Sequence, residues 1–244
     1  MVRSAADTAA EPRAARAAGA APRLSVVLPA LNEAAGIEAM LQALAPLRAA
    51  GHEVIVVDGG STDGTATLAA PLACRVAASE RGRARQMNAG AAAATGEVLL
   101  FLHADTRLPA GAEAAITVAL QRGARWGRFD VRIEGHSRWL PVVARLMNWR
   151  SRLTGIATGD QALFIEAALF RELGGYASLP LMEDIELCTR LRAIARPACL
   201  RERVTTSGRR WDTRGAWRTI WLMWTLRWRY WRGTPAEELA RAYR

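Results

Sequence analysis

The chain has 244 residues, 51% of them hydrophobic, and its 33 basic against 23 acidic side chains leave a net charge of +10. Disorder requires low hydrophobicity with high charge, so this composition excludes an unfolded polypeptide, and the length suffices for one large core. No apolar run is long enough for a membrane-spanning helix.

Every basic residue is arginine. Codon usage in a GC-rich genome would produce this, and arginine also offers a planar, bidentate fork for phosphate. Cys74, Cys188 and Cys199 are odd in number and lack CxxC spacing, which argues against a disulfide framework or a zinc site and fits a reducing cytoplasm.

Residues 1–23 are rich in Ala and Arg without the continuous apolar stretch of a secretory signal, and read as a disordered tail. A strand is expected at Leu24–Leu28, then a helix over Glu33–Leu47 with apolar spacing at Ile37, Met40, Leu41 and Leu44. Glu53–Val57 reads as a second strand, Thr62–Leu68 as a helix, Arg83–Ala93 as another helix and Val98–Leu102 as a strand. Apolar strands alternating with helices predict an α/β fold with a mostly parallel sheet covered on both faces. Further on, Trp139–Trp149 has amphipathic helix spacing, Leu163–Ile165 returns to the sheet, and Glu183–Ile194 and Trp217–Trp231 read as helices.

Ligands of such sheets bind beyond the carboxyl ends of the strands. Here those ends carry Pro29-Ala30-Leu31-Asn32-Glu33, Asp58, and His103-Ala104-Asp105. None forms a GxGxxG or GxxxxGK[ST] motif, so neither a dinucleotide fold nor a P-loop is expected. A carboxylate at a buried strand end must be hydrated, paired or metal-bound, and Asp58 and Asp105 share one edge. Asp105 suits a hard divalent cation, Mg2+ or Mn2+, completed by diphosphate oxygens and water. His103 suits only Mn2+ or a softer metal as a ligand, and a lone His at a strand end more often makes a structural hydrogen bond.

Arg83, Arg85 and Asn88 open the helix before the third of these strand ends, where helix amides and dipole favour anions; a solvated helix face is the competing reading. Glu183 and Asp184 begin another helix. Neighbouring helix positions diverge by about 100°, so one should pair or cap while the other faces the cleft as a general base.

In combination, LSVVLPALNE, VVDGGSTDGT, GRARQMNAG, FLHADT, GDQALF, LMEDIEL and GRRW resemble the inverting family 2 glycosyltransferases of GT-A fold. The GDQ, the RRW and the closing Gly233-Thr234-Pro235 to Arg244 segment resemble the subgroup of radical-SAM/selenodomain-associated transferase 2. The resemblance implies a nucleotide-sugar-binding Rossmann-like domain over 24–212, followed by a Trp/Arg-rich helical segment over 213–244. It implies that Pro29, Asn32 and Glu33 line the nucleotide pocket, that Asp58 binds the base, and that Arg83, Arg85, Asn88 and Arg210 belong to the donor side. Asp105 would hold the metal; His103 stands where the family has its first Asp, so one carboxylate plus diphosphate would serve. Asp184 would be the catalytic base with Glu183 in support, and Asp160, Gln161 and Trp211 would meet the acceptor. Ser207 replaces the leading Gln of the family's QxxRW motif, so processive synthesis is not expected.

The implied reaction moves a sugar from a UDP-linked or other nucleoside-diphosphate donor to a hydroxyl acceptor, which a lipid could carry. Competing readings are a sugar nucleotidyltransferase, whose Gly-rich loop after the first strand is missing here, and a nucleotide-sugar-binding scaffold without turnover.

Trp217, Trp221, Trp224, Trp228 and Trp231 fall within an arc of about 80° on one helix. Such a stripe reads as core, as a partner interface, or as contact with anionic membrane through residues 214–232, given Arg218, Arg227, Arg229 and Arg232. Residues 201–244 hold eleven arginines against four acids, without a nucleic-acid motif, so specific nucleic-acid binding is not expected. The implied location is cytoplasmic, with a peripheral position on the inner face of the cytoplasmic membrane.

Overall fold

The computed structural model describes residues 21–243, apart from the side chains of Arg210, Arg214 and Ala216. The reading of residues 1–23 as a tail therefore lies almost wholly outside the described residues, and so does the role given to the Arg210 side chain.

The elements follow in the order β1 (Leu24–Ala30), α1 (Ala34–Ala43), α2 (Ala45–Ala49), β2 (Glu53–Asp58), α3 (Thr65–Ala69), β3 (Arg75–Ala78), α4 (Arg83–Ala93) and β4 (Val98–Phe101). Then come β5 (Thr106–Arg107), α5 (Ala112–Gln121), β6 (Trp126–Glu134), α6 (Leu140–Thr154), a 3-10 turn (Gly159–Gln161), β7 (Leu163–Glu166), α7 (Ala167–Glu172) and α8 (Glu183–Ile194). The chain closes with β8 (Ala198–Ser207), α9 (Arg209–Arg214), α10 (Ala216–Trp231) and α11 (Ala236–Tyr243).

The eight strands form one sheet in the order β3-β2-β1-β4-β7-β6-β8-β5. Its first four strands are parallel, as the alternation of apolar runs and helices predicts. The other half is mixed: β7 is antiparallel to β4 and β6, β8 is parallel to β6 with a bulge between Arg128 and Asp130, and β5 is antiparallel to β8. Of the eight described strands six point the same way, as the mostly parallel reading expects, and β7 and β5 run against them in the half where long connections rather than a repeating unit set strand direction.

Side chains alternate across the central strands and bury both faces. Val26, Leu28, Val54, Val56 and Leu100 face one layer with Ile37, Leu41 and Ile116. Val27, Ile55, Val57, Leu99 and Phe101 face the other with Met87, Phe170 and Leu187. On that second side Gly90 lets α4 lie close to the sheet, since a Cβ there would stand 2.3 Å from a Val27 methyl.

The predicted helix over Glu33–Leu47 is two helices, broken at Leu44. The one predicted from Thr62 begins at Thr65, because Gly64 sits in the left-handed region. α10 and α11 pack on the residues before and inside the start of α8, through Leu226, Leu239 and Met182. The five tryptophans of α10 point away from this contact and are 58–80% exposed, which removes the core reading of the stripe.

Candidate active site

A cleft of about 600 Å³ opens at the carboxyl ends of β1 and β4. Of the residues expected in it, Pro29, Glu33, Arg83, Asp105, Asp160, Glu183, Asp184 and Trp211 line it. α10 closes one side with Thr219, Met223, Leu226 and Arg227.

The loops after β1 and β2 are stitched together by their polar side chains. The Asn32 amide donates to Ser61 Oγ at 2.9 Å, and Asn32 Oδ1 accepts from the Thr62 amide at 2.9 Å. The Glu33 amide donates to Thr65 Oγ1 at 2.9 Å and the Ala34 amide to Asp63 Oδ2 at 3.0 Å. Asp58, opposite Ala30 in the ladder, accepts from the amides of Gly60 and Ser61. Asn32 and Asp58 thus shape the loops at the edge of the cleft instead of lining it. Gln86, buried in α4, draws the ends of β1 and β2 together by donating to the carbonyls of Ala30 at 2.8 Å and Val57 at 2.9 Å.

Three further expected residues lie outside the cleft lining. Arg85 is spent on Glu80 at 2.6 Å on the surface. Asn88 ties α4 to Tyr176, donating to its carbonyl at 2.8 Å and accepting from its amide at 2.9 Å. Gln161 is buried in a capping box with Thr158, below Asp160. Sequence spacing marks all three as polar and near the site, but rotation about the helix or turn axis turns them away.

Glu183 and Asp184 diverge as helix geometry requires. Glu183 faces Arg83 at 3.6 Å, with its side chain almost fully buried. Burial, reinforced by the neighbouring Asp184 and opposed by Arg83, pushes its carboxyl up to about 7, so desolvation outweighs the helix N-terminus there. Asp184 is 8% exposed; its Oδ2 accepts from the Gly159 amide at 2.8 Å, while its Oδ1 is buried with no protein partner. Such an oxygen is costly to bury unless a ligand's proton or another donor reaches it.

Gly159 serves two neighbours. Besides its bond to Asp184, it leaves room for the His103 ring, since a Cβ would stand 2.1 Å from His103 Nε2. His103 Nδ1 lies 3.3 Å from Asp160. Three non-glycine residues among those described have positive φ, and Asn32, Ala162 and Met182 each flank a segment that builds this site. Strain of that kind persists where surrounding contacts overdetermine the backbone.

Asp105 and Glu33 flank Arg209, whose guanidinium stands 3.9 Å from each. Burial holds the Glu33 carboxyl above its usual range, against the pull of Arg209. Arg209 and Gly159 are marked only through the GRRW and GDQ motifs that contain them, and Arg227, read from the sequence as an arginine facing anionic membrane, lines the cleft instead. Among the described residues no group of three His, Cys, Asp or Glu side chains could hold a metal by itself. A divalent ion at Asp105 would therefore need ligands beyond the described side chains, such as oxygens of a bound diphosphate.

A sequence pattern for glycosyl transferase family 2 matches residues 25–168. An uncharacterised glycosyltransferase of Mycobacterium tuberculosis is 36% identical over 134 residues, covering 53% of this chain and 59% of the relative. A glycosyltransferase of PGL/p-HBAD biosynthesis from the same species is 38% identical over 96 residues, covering 36% and 38% of the two chains. The chain thus matches less than two-thirds of the length of these relatives.

Among solved structures, the mannosyltransferase PcManGT of Pyrobaculum calidifontis in complex with GDP-Man and Mn2+ has a TM-score of 0.64 at 23% identity, covering 92% of this chain and 70% of that one. Glucosyl-3-phosphoglycerate synthase of Mycobacterium tuberculosis, in complex with Mn2+, UDP and glucosyl-3-phosphoglycerate, has a TM-score of 0.53 at 24% identity, covering 76% and 71%. These likenesses are of fold, and the fold is GT-A. The span from β1 to the start of α7, which carries the stitched loops, Asp105 and Gly159, is the span the family pattern covers, and the chain belongs to glycosyl transferase family 2.

Proposed function

We propose that the protein transfers a sugar, with inversion, from a nucleoside-diphosphate donor to a hydroxyl acceptor, and that a UDP-sugar is the first donor to test. The observation that carries this reading is Asp184: one oxygen fixed by the Gly159 amide at 2.8 Å, the other buried, unpartnered and in a residue that lines the cleft. A carboxylate so held can take the proton of an acceptor hydroxyl. The acceptor oxygen then bonds the anomeric carbon as the bond to the diphosphate breaks, and the nucleoside diphosphate leaves with that electron pair. Displacement from the opposite face in one step gives inversion.

Glu183 supports the arrangement through Arg83, which with Arg209 supplies positive charge to the donor side of the cleft. We assign Pro29 and Glu33 to the nucleotide pocket, with Asn32 and Asp58 as loop supports, and Asp160 and Trp211 to the acceptor side. Gln161 would act only through Asp160. Arg85 and Asn88 drop out of the donor set.

A divalent ion, Mg2+ or Mn2+, would sit on Asp105 and neutralise charge on the leaving diphosphate. Relatives of the same fold hold Mn2+ with GDP-Man or UDP, which supports this choice. We place residues 24–212 in the transferase domain and 213–244 in a helical addition that walls the cleft. We further propose a lipid-linked acceptor, peripheral contact of residues 214–232 with the inner face of an anionic cytoplasmic membrane, and membership of the transferase 2 subgroup. The exposed tryptophans of α10 and the closing sequence motifs support these.

Calorimetric titration with UDP, GDP, CDP and ADP, with and without Mn2+, tests the donor assignment. One diphosphate should bind in a metal-dependent way, and Asp105→Ala should abolish that dependence. Asp184→Asn should keep donor binding and lower sugar transfer or donor hydrolysis by about 10²-fold or more. Absence of binding to all four would overturn the donor assignment, and full turnover in Asp184→Asn would remove the base.

A further inference from the structure

The exposed tryptophans of α10 are one half of a larger surface. α6 carries a second stripe, Trp139 just before it and Val142, Leu146, Trp149 and Leu153 on it, all 36–66% exposed. Their spacing of 3, 4, 3 and 4 confines them to an arc of about 80°, as on α10. The two stripes meet where the rings of Trp139 and Trp217 touch edge to face, with centroids 5.0 Å apart. That junction is braced, because Asp212 of α9 accepts from the amides of His136 and Ser137 at 3.0–3.1 Å.

Neither helix carries an acidic residue. At the ends of the stripes Arg138, just before α6, is placed over the Trp139 ring and Arg232, just after α10, over that of Trp228, whereas Arg227 lines the cleft and Arg229 pairs with Glu238. Tryptophan with flanking arginine favours the headgroup region of a bilayer, where rings reach the acyl boundary and guanidinium groups meet phosphates. A chain-to-chain contact built from two such surfaces would set arginine against arginine.

Beside the α6 stripe lies a cavity of about 710 Å³, away from the cleft and lined by Arg132, Arg138, Arg145, Arg152, Arg203 and Trp149. The acids on its wall are partly committed: Asp130 to Arg128 and Arg152, and Glu134 to Arg132 at 3.8 Å. Arg145 and Arg203 have no ion-pair partner among the described residues and are exposed. The cavity thus offers unneutralised guanidinium groups next to an apolar stripe, the chemistry of a phospholipid headgroup.

We infer that α6 and α10 form one docking surface for a bilayer containing anionic phospholipid, and that the arginine-lined cavity receives lipid phosphates. This rests on the reading of α10 as a membrane contact and extends it to α6 and the cavity; it does not depend on the transfer reaction. The other face of α10 walls the cleft, so docking in this way brings the cleft alongside the membrane surface.

The test is sedimentation of the full chain with phosphatidylcholine vesicles, with and without phosphatidylglycerol, at low and high salt. Binding should require phosphatidylglycerol and weaken with salt. Three double variants follow: Leu146→Ser with Trp149→Ser, Trp221→Ser with Trp224→Ser, and Arg145→Glu with Arg203→Glu. Each should weaken vesicle binding by about ten-fold or more, while nucleoside-diphosphate binding, measured in the same preparations, stays at its wild-type value. Loss in the α10 variant alone overturns the shared surface and leaves only the α10 contact. No binding to either vesicle overturns docking altogether. A solution dimer that the same substitutions dissociate, without vesicle binding, overturns it in favour of a second copy on this face. A failure of nucleotide binding in the wild-type chain would count against the transferase reading and leave the vesicle result standing.

Discussion

At the scale of single residues, the site depends on a glycine that carries no chemistry of its own. Gly159 gives its amide to Asp184 and its empty side to His103. Gly159→Ala should therefore displace the imidazole and loosen the carboxylate together. The expected result is a kcat reduced by about ten-fold or more with donor affinity little changed, since positioning is lost without loss of the pocket. Steady-state kinetics against donor concentration would check it.

Glu183 gives a second residue-scale prediction. Its carboxyl is raised from the ordinary 4.5 to about 7, first by burial. The folded chain then holds a proton that the unfolded chain has released between those values, so this residue's contribution to stability falls as pH rises through that window and stays low above it. The full shift corresponds to about 3 kcal/mol at most, and water reaching the half-exposed Arg83 reduces it. Glu183→Gln removes the titration. Thermal unfolding of the two proteins between pH 4 and 8 should show the wild type losing ground to the variant as pH rises; parallel curves would contradict the assignment.

At the scale of elements, α4 shows how local preference and packing compete. Alanine is better than glycine in a helix by about 1 kcal/mol. At position 90, however, the added methyl would meet Val27 at 2.3 Å and Val57 at 2.9 Å, across β1 and β2. Overpacking of that kind costs about 1–3 kcal/mol or more. Packing should win, and urea denaturation of Gly90→Ala should show a net loss of stability. α4 also presents Gln86 to the ends of both strands, so a displaced helix would widen the cleft wall. The bounds of α4 and α8 were legible because each is a periodic segment with a clear start. The Glu33–Leu47 segment was not, because continuous helix spacing hides the break at Leu44, where Pro46 in the first turn of α2 lacks an amide to continue α1.

At the scale of the whole molecule, α10 and α11 are held to the site by a small cluster around Leu226, Leu239 and Met182. Leu226→Ala would open a cavity there, worth about 2–5 kcal/mol to that contact. Because neither helix belongs to the sheet, the expected outcome is local. Limited proteolysis around residues 208–216 should quicken while the main unfolding transition moves less, and turnover should fall because the cleft loses a wall.

The sequence alone determined the alternating apolar strands, the Asn32–Glu33, Asp58 and Asp105 strand ends, and the start of α8 at Glu183–Asp184. These are local periodicities and cap positions, written within a few residues of one another. The tertiary structure decided what depends on partners distant in the chain. It reversed β7 and β5 against the other six strands, committed Asn88 to Tyr176 and Arg85 to Glu80, and placed Gly159 under Asp184. It also exposed the tryptophan stripe, whose spacing is the same in a core helix as in a surface one. Periodicity fixes which side chains share a face, but only packing fixes what that face meets.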